Sequence, residues 1–194
     1  MIRPLRLALL LLAAGLPAVL TGCPPRTPPP PEPLASAAIA NPCGDIAQLD
    51  QVLPDVSFTT LDGRTLRLSE LRGKVVLLDF WAMLCSGCVD GLNGYQAHPE
   101  MLSNPRVQLL TVTLDQSEPA VRKFVAEKGW TFPVVMATDE IRQAFLRDRE
   151  IVVPQARLIG PDGHLRYRLD MEQMDLETLR CLWEGLLGPA PAAD

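Results

Sequence analysis

Histidine is nearly missing from this chain. The two present, His98 and His164, stand in no spacing that a metal site uses. Basic residues are outnumbered, with 18 Lys and Arg against 23 Asp and Glu and a net charge of −5. No Lys/Arg stripe runs along any segment, which argues against nucleic acid as a partner. No apolar run reaches the roughly 20 residues that a helix needs to cross a bilayer. No internal repeat is visible either, which excludes a solenoid. Cysteine is also sparse, at five residues in 194. That number is informative only once the compartment is known.

The N-terminus points to one. Arg3 and Arg6 precede an almost wholly apolar stretch from Leu7 to Leu20. A basic start and a short apolar core have the form of a secretory signal. It ends in Leu20-Thr21-Gly22-Cys23, which resembles the lipobox of bacterial lipoproteins. The resemblance implies cleavage before Cys23 and a lipid on its sulfur, so residues 1–22 are expected to be a lipoprotein signal peptide. A plain secretory signal with a chance cysteine is the alternative. Cleavage would leave 16 of the 18 basic residues and all 23 acidic ones, a net charge of −7. The expected location is the cell envelope, with the protein lipid-anchored on the periplasmic side of a membrane or on its extracellular face.

Residues 23–41 then read as the lipidated cysteine and a Pro/Ala-rich linker. Seven prolines fall between positions 24 and 33, which favours an extended polyproline II spacer; a disordered spacer is the other reading. The folded domain is expected over 42–188, with a loose tail over 189–194.

Within that domain, Val56–Thr59 and Thr65–Leu68 flank Asp62-Gly63, a hairpin signal. Ser69 is placed to cap a short helical turn. Lys74–Phe80 contains a continuous apolar run, as in a strand buried on both faces. A helix is expected from Ser86 to Leu102, weakened by Gly91 and Gly94. Strand Val107–Leu114, helix Ser117–Lys128, strand Phe132–Met136 and helix Asp139–Arg147 follow. Strands Ala156–Ile159 and Leu165–Leu169 flank Pro161-Asp162-Gly163, and Asp175–Leu187 closes as an amphipathic helix. Alternating strands and helices, then a hairpin and a last helix, define an α/β sandwich with a mixed sheet.

Chemistry concentrates in Asp79-Phe80-Trp81-Ala82-Met83-Leu84-Cys85-Ser86-Gly87-Cys88. A C-x-x-C between a buried strand and a helix is a redox arrangement. The helix N-terminus directs free N–H groups at the first sulfur and favours its thiolate. Cys85 is therefore the expected nucleophile and Cys88, one turn inside, the resolving thiol. A zinc site would need a second ligand pair, and a purely structural disulfide would gain little from so small a loop. Cys43 and Cys181 remain. They suit a structural disulfide between the N-terminal extension and the last helix, or, alternatively, a second redox pair.

The segment Asp79–Cys88 resembles the thioredoxin active-site signature. Leu53-Pro54-Asp55, Leu71-Arg72-Gly73-Lys74, Trp130–Pro133 and Val153-Pro154 extend the resemblance to the TlpA-like and ResA-like branch, close to the redoxins and peroxiredoxins. It implies a thioredoxin-like three-layer α/β sandwich with a mixed β-sheet and an N-terminal β-hairpin extension. It also implies a thiol–disulfide oxidoreductase with no cofactor or metal. Protein thiols and disulfides would be its substrates, and a membrane or envelope redox donor would recharge it. Asp79 would be the buried carboxylate that exchanges a proton with Cys88, against the alternative of a half-solvated strand end. Pro154 would be a cis-proline, with Val153 and Trp81 beside the substrate; an ordinary trans proline is the alternative. The sequence departs from the family at Leu84, usually Trp, at Ser86-Gly87, and at Asn93, often Pro. A thiol peroxidase, a copper-binding module and a non-catalytic adaptor are the rival functions.

Overall fold

The computed structural model describes residues 42–146 and 152–188. The signal peptide, Cys23, the proline linker and the tail beyond 188 lie outside the described residues. In chain order the strands are β1 (Gln51–Val52), β2 (Ser57–Thr59), β3 (Thr65–Arg67), β4 (Val75–Trp81), β5 (Val107–Thr113), β6 (Val134–Met136), β7 (Gln155–Ile159) and β8 (His164–Asp170). The helices are α1 (Ser86–Ala97), α2 (Pro99–Leu102), α3 (Glu118–Lys128), α4 (Asp139–Phe145) and α5 (Leu176–Leu187).

One mixed sheet has the order β1-β8-β7-β4-β5-β6. The apolar run of β4 is central because every one of its seven residues is buried. It pairs in parallel with β5, Val75 opposite Val107 through Trp81 opposite Thr113. On its other side it pairs antiparallel with β7, Asp79 opposite Ala156. Side chains alternate across a strand, so β4 feeds two cores. Leu77 and Trp81 pack with Leu92 of α1, Val121 of α3 and Leu179 of α5. Val76, Leu78 and Phe80 pack with Phe58, Leu68 and Leu71 of the hairpin region and with Ile141 and Phe145 of α4. Helices cover one face; α4 and the β2–β3 hairpin cover the other, making three layers. A bridge from Thr60 to Val135 ties the hairpin to β6.

Local signals explain most boundaries. Ser117 caps α3 by accepting the Ala120 N–H, and Gly129 ends it at φ 66°. Two expectations need correction, and one strand is new. The helix expected over Ser86–Leu102 breaks at His98, because Pro99 cannot continue the hydrogen-bond ladder and instead starts α2. Ser69 does not cap the turn at Leu68–Leu71, whose cap position is Arg67. Its N–H and hydroxyl donate to Asp55 at 2.9 and 3.0 Å, which joins the Leu53-Pro54-Asp55 segment to that turn. β1 was not expected at all: two residues carry no period, and only pairing with β8 makes them a strand.

Candidate active site

The end of β4 delivers the chain to the site. The Trp81 carbonyl accepts from Leu114 N–H at 2.8 Å, and Cys85 N–H closes a turn onto the Ala82 carbonyl at 3.1 Å. Met83 N–H donates to Asp115 Oδ2 at 2.9 Å, an oxygen that also accepts from Thr113 Oγ1 at 2.7 Å. Asp115 thus pins the loop before the cysteines. Sequence reasoning missed it, although the parallel register of β4 and β5 carries the signal: Thr113 lies beside Trp81, so the residue two further on reaches the next turn.

Cys85 occupies the N-cap of α1 with extended backbone (φ −89°, ψ 99°). Its Sγ accepts the Cys88 N–H at 3.1 Å. A sulfur placed there meets the positive end of the helix dipole, which favours its thiolate. The two sulfurs are bonded to each other at 2.08 Å. Cys85 is half-buried, whereas Cys88 is only 2% exposed, so a partner can reach the first sulfur and not the second.

Cys85 Sγ also lies 3.6 Å from the Val153 carbonyl oxygen, and the Val153–Pro154 peptide bond is cis. The fold therefore brings Val153 and Pro154, nearly seventy positions away in sequence, against the nucleophile candidate. Leu84 is 99% exposed and Val152 63% exposed. They directly precede Cys85 and Val153 in the chain.

Asp79 is 3% exposed on the same face of β4 as Leu77 and Trp81. Burial pushes its carboxyl from the ordinary 3.8 up to about 7, and a hydrogen bond from the Tyr95 hydroxyl partly opposes that rise. Tyr95 is itself pushed up, first by burial and then by the Asp79 charge. Sequence reasoning overlooked Tyr95. The signal was present, since Cys88, Leu92 and Tyr95 fall at i, i+4 and i+7 and so share the buried face of α1.

Trp81 requires a correction. It has no exposed surface and cannot touch a substrate. Its ring stacks on Phe124 at 6.2 Å and meets Trp130 edge-on at 5.3 Å, so it supports the site from the core. Asn93, where the resemblance leads one to look for proline, accepts a hydrogen bond from Trp130 Nε1 at 3.0 Å. Gln96 accepts from Thr131 N–H at 3.0 Å. Together they fasten α1 to the loop after α3. Far along the sequence, Cys43 and Cys181 are bonded at 2.07 Å and join the segment before β1 to α5. Among the described residues no three His, Cys, Asp or Glu side chains group as a metal site would need, and no helix is long and apolar enough to cross a membrane.

A central β4 followed by a C-x-x-C at a helix N-terminus, with a cis-proline before β7, defines the thioredoxin fold. The chain belongs to the AhpC/TSA family, whose sequence profile matches residues 49–168. It is similar to the thiol-disulfide oxidoreductase ResA of Bacillus subtilis (strain 168), at 30% identity over 110 residues, covering 57% of this chain and 60% of that protein. It is similar also to ResA of Geobacillus kaustophilus (strain HTA426), at 32% identity over 108 residues, covering 56% of each chain. The chain thus spans less than two thirds of the length of these relatives. The crystal structure of a thiol:disulfide interchange protein from Chlorobium tepidum TLS superimposes with a TM-score of 0.56, over 72% of this chain and 98% of that one; at 20% identity the likeness is one of fold.

Proposed function

We propose that this protein is a thiol–disulfide oxidoreductase of the cell envelope that reduces protein disulfides. The observation that carries the reading is the asymmetry of the pair: Cys85 is reachable at a helix N-terminus, and Cys88 is buried on the face that holds Asp79. In the reduced protein the Cys85 thiolate attacks a substrate disulfide and forms a mixed disulfide. Cys88 then displaces the substrate sulfur. Asp79 receives the Cys88 proton, a role that suits a carboxyl group held near neutrality. Half-buried Val153 lines the substrate side, held there by the buried Pro154, with exposed Leu84 and Val152 as apolar contacts. The names of the ResA relatives support the same activity.

The envelope location rests on the signal-like N-terminus and on Cys23, the expected lipid site. An oxidising compartment also suits the Cys43–Cys181 bond as a structural disulfide. A thiol or dithiol donor in the envelope or its membrane would regenerate the reduced pair.

The deciding measurement is the equilibrium reduction potential of Cys85–Cys88, in glutathione buffers with alkylation and mass readout. A value near about −270 mV is expected and fits a reductant; one near about −120 mV would make the protein an oxidant. Rapid stoichiometric consumption of hydrogen peroxide would replace the reading with a peroxidase. If the pair never forms a disulfide in solution, the exchange reading fails.

A further inference from the structure

Leu84 comes directly before the candidate nucleophile and is 99% exposed. Its neighbour Met83 packs against the core of Leu77 and Trp81, whereas Leu84 packs against neither core. A lone exposed leucine carries no message by itself. What singles this one out is how its backbone is held. Packing does not fix its place, and two hydrogen bonds on either side of it do. Cys85 N–H closes the turn onto the Ala82 carbonyl at 3.1 Å, and Met83 N–H donates to Asp115 Oδ2 at 2.9 Å. Asp115 is the anchor from outside the turn, and it is itself fastened. Thr113, fully buried at the end of β5, donates its hydroxyl to Asp115 Oδ2 at 2.7 Å and accepts the Asp115 N–H at 3.2 Å. Arg142 of α4 donates to the Leu114 carbonyl at 3.0 Å and holds the residue between them. The turn that carries Leu84 is therefore ordered before any partner arrives, which lowers the entropy lost on docking. Charge is absent around it: residues 81–89 and 152–156 contain no Asp, Glu, Lys or Arg. A charged side chain beside a partner's disulfide would lose water there and find no countercharge along these segments, whereas an aliphatic one would gain by leaving water.

We infer that Asp115 is a positioning residue for substrate choice: through the Met83 N–H it presents Leu84 as an apolar anchor, and the site takes polypeptide disulfides that carry an aliphatic residue beside the cysteine. The inference rests on the exchange reading above. Asp115 touches neither sulfur in this role and acts through the turn. Without its carboxylate the Met83 N–H loses its partner, the turn is held only by the Cys85 to Ala82 bond, and Leu84 is no longer fixed beside the sulfur. Asn in the same place keeps an oxygen that can accept the Met83 N–H, so the hydrogen bond rather than the charge is what the anchor needs.

The test is single-turnover oxidation of the reduced protein, followed by alkylation and mass. The probes are two synthetic peptides of equal length, each with one disulfide and either Leu or Glu beside the cysteine, and hydroxyethyl disulfide, which has no side chains. The unsubstituted protein should react faster with the Leu peptide than with the Glu peptide. Its rate ratio of Leu peptide to hydroxyethyl disulfide is the measure of the anchor. Leu84→Ala should lower that ratio roughly three- to tenfold, and Asp115→Ala should lower it as much. The double variant should lower it no further, because both changes remove one interaction. Asp115→Asn should stay within about twofold of the unsubstituted ratio. Should Asp115→Ala fail to fold, Thr113→Val carries the same test, since it removes the hydroxyl that orients the carboxylate. If Asp115→Ala slows all three disulfides alike, Asp115 serves only the fold or the cysteine pair, and the proposal falls. It falls too if the ratio does not move, or if the effects of Asp115→Ala and Leu84→Ala multiply. Equal rates for the Leu and Glu peptides in the unsubstituted protein would overturn the substrate class. Failure of the reduced protein to be oxidised by any of the three would overturn the exchange reading itself.

Discussion

Asp79 shows how one buried side chain links chemistry to stability. Its carboxyl is raised from 3.8 to about 7 because burial penalises the charged form. The sign follows from that direction. The stability of the neutral form is fully present below about pH 4 and is lost as the pH rises through 7. Three units at about 1.4 kcal/mol each make the loss about 4 kcal/mol. Asp79→Asn carries no such charge, so its urea midpoint relative to the unsubstituted protein should rise between pH 4.5 and pH 8. A constant difference across that range would show that Asp79 does not titrate there and would remove it as the base. Asp79 was legible in sequence because it follows an apolar run and precedes a C-x-x-C. Tyr95 and Asp115 were harder to see. Neither belongs to a motif, and each acts through a partner that only the packing of α1 on β4, or of β5 beside it, brings near.

At the scale of elements, α1 tests how far propensity governs a helix. Gly91 and Gly94 led to doubt about this segment, yet it is helical without interruption from Ser86 to Ala97. Tertiary packing overrides the cost of glycine here. The two glycines nevertheless differ. A Cβ on Gly91 would meet nothing within 4 Å, whereas one on Gly94 would lie 3.1 Å from Leu176 Cδ1 of α5. Gly91→Ala is expected to stabilise the protein by about 0.5–1 kcal/mol. Gly94→Ala should gain less, because α5 must give way. Thermal unfolding of the two variants side by side checks the order, and an equal gain would mean that Leu176 yields freely. The strands and the other long helices were legible from period and caps to within about two residues. β1 was not, since a two-residue strand exists only through its neighbour β8.

For the whole molecule, the Cys43–Cys181 bond closes a span of 138 residues. Loop entropy sets its stabilisation at up to about 5 kcal/mol. Replacing both cysteines by serine should lower the guanidinium midpoint accordingly while leaving the Cys85–Cys88 potential where it is. A moved potential would instead favour the relay role for this second pair. The proposed anchor belongs to this scale too. Cys23→Ala should shift the protein from the membrane to the soluble fraction of cells; unchanged membrane association would refute lipidation at that residue.

The sequence by itself determined the α/β class, the two hairpin turns, the central buried strand and the placement of a dithiol at a helix start. Each of these is local, set by hydrophobic period, turn chemistry or a spacing of three residues. Only the tertiary structure decided that Val153 and Pro154 stand against Cys85, that Cys43 meets Cys181, that Trp81 is core rather than binding surface, and that Tyr95 reaches Asp79. Those outcomes depend on which strands neighbour β4 and on how α1 and α5 lie across the sheet. Contacts between residues far apart in the chain follow from that packing, and no short window of sequence contains it.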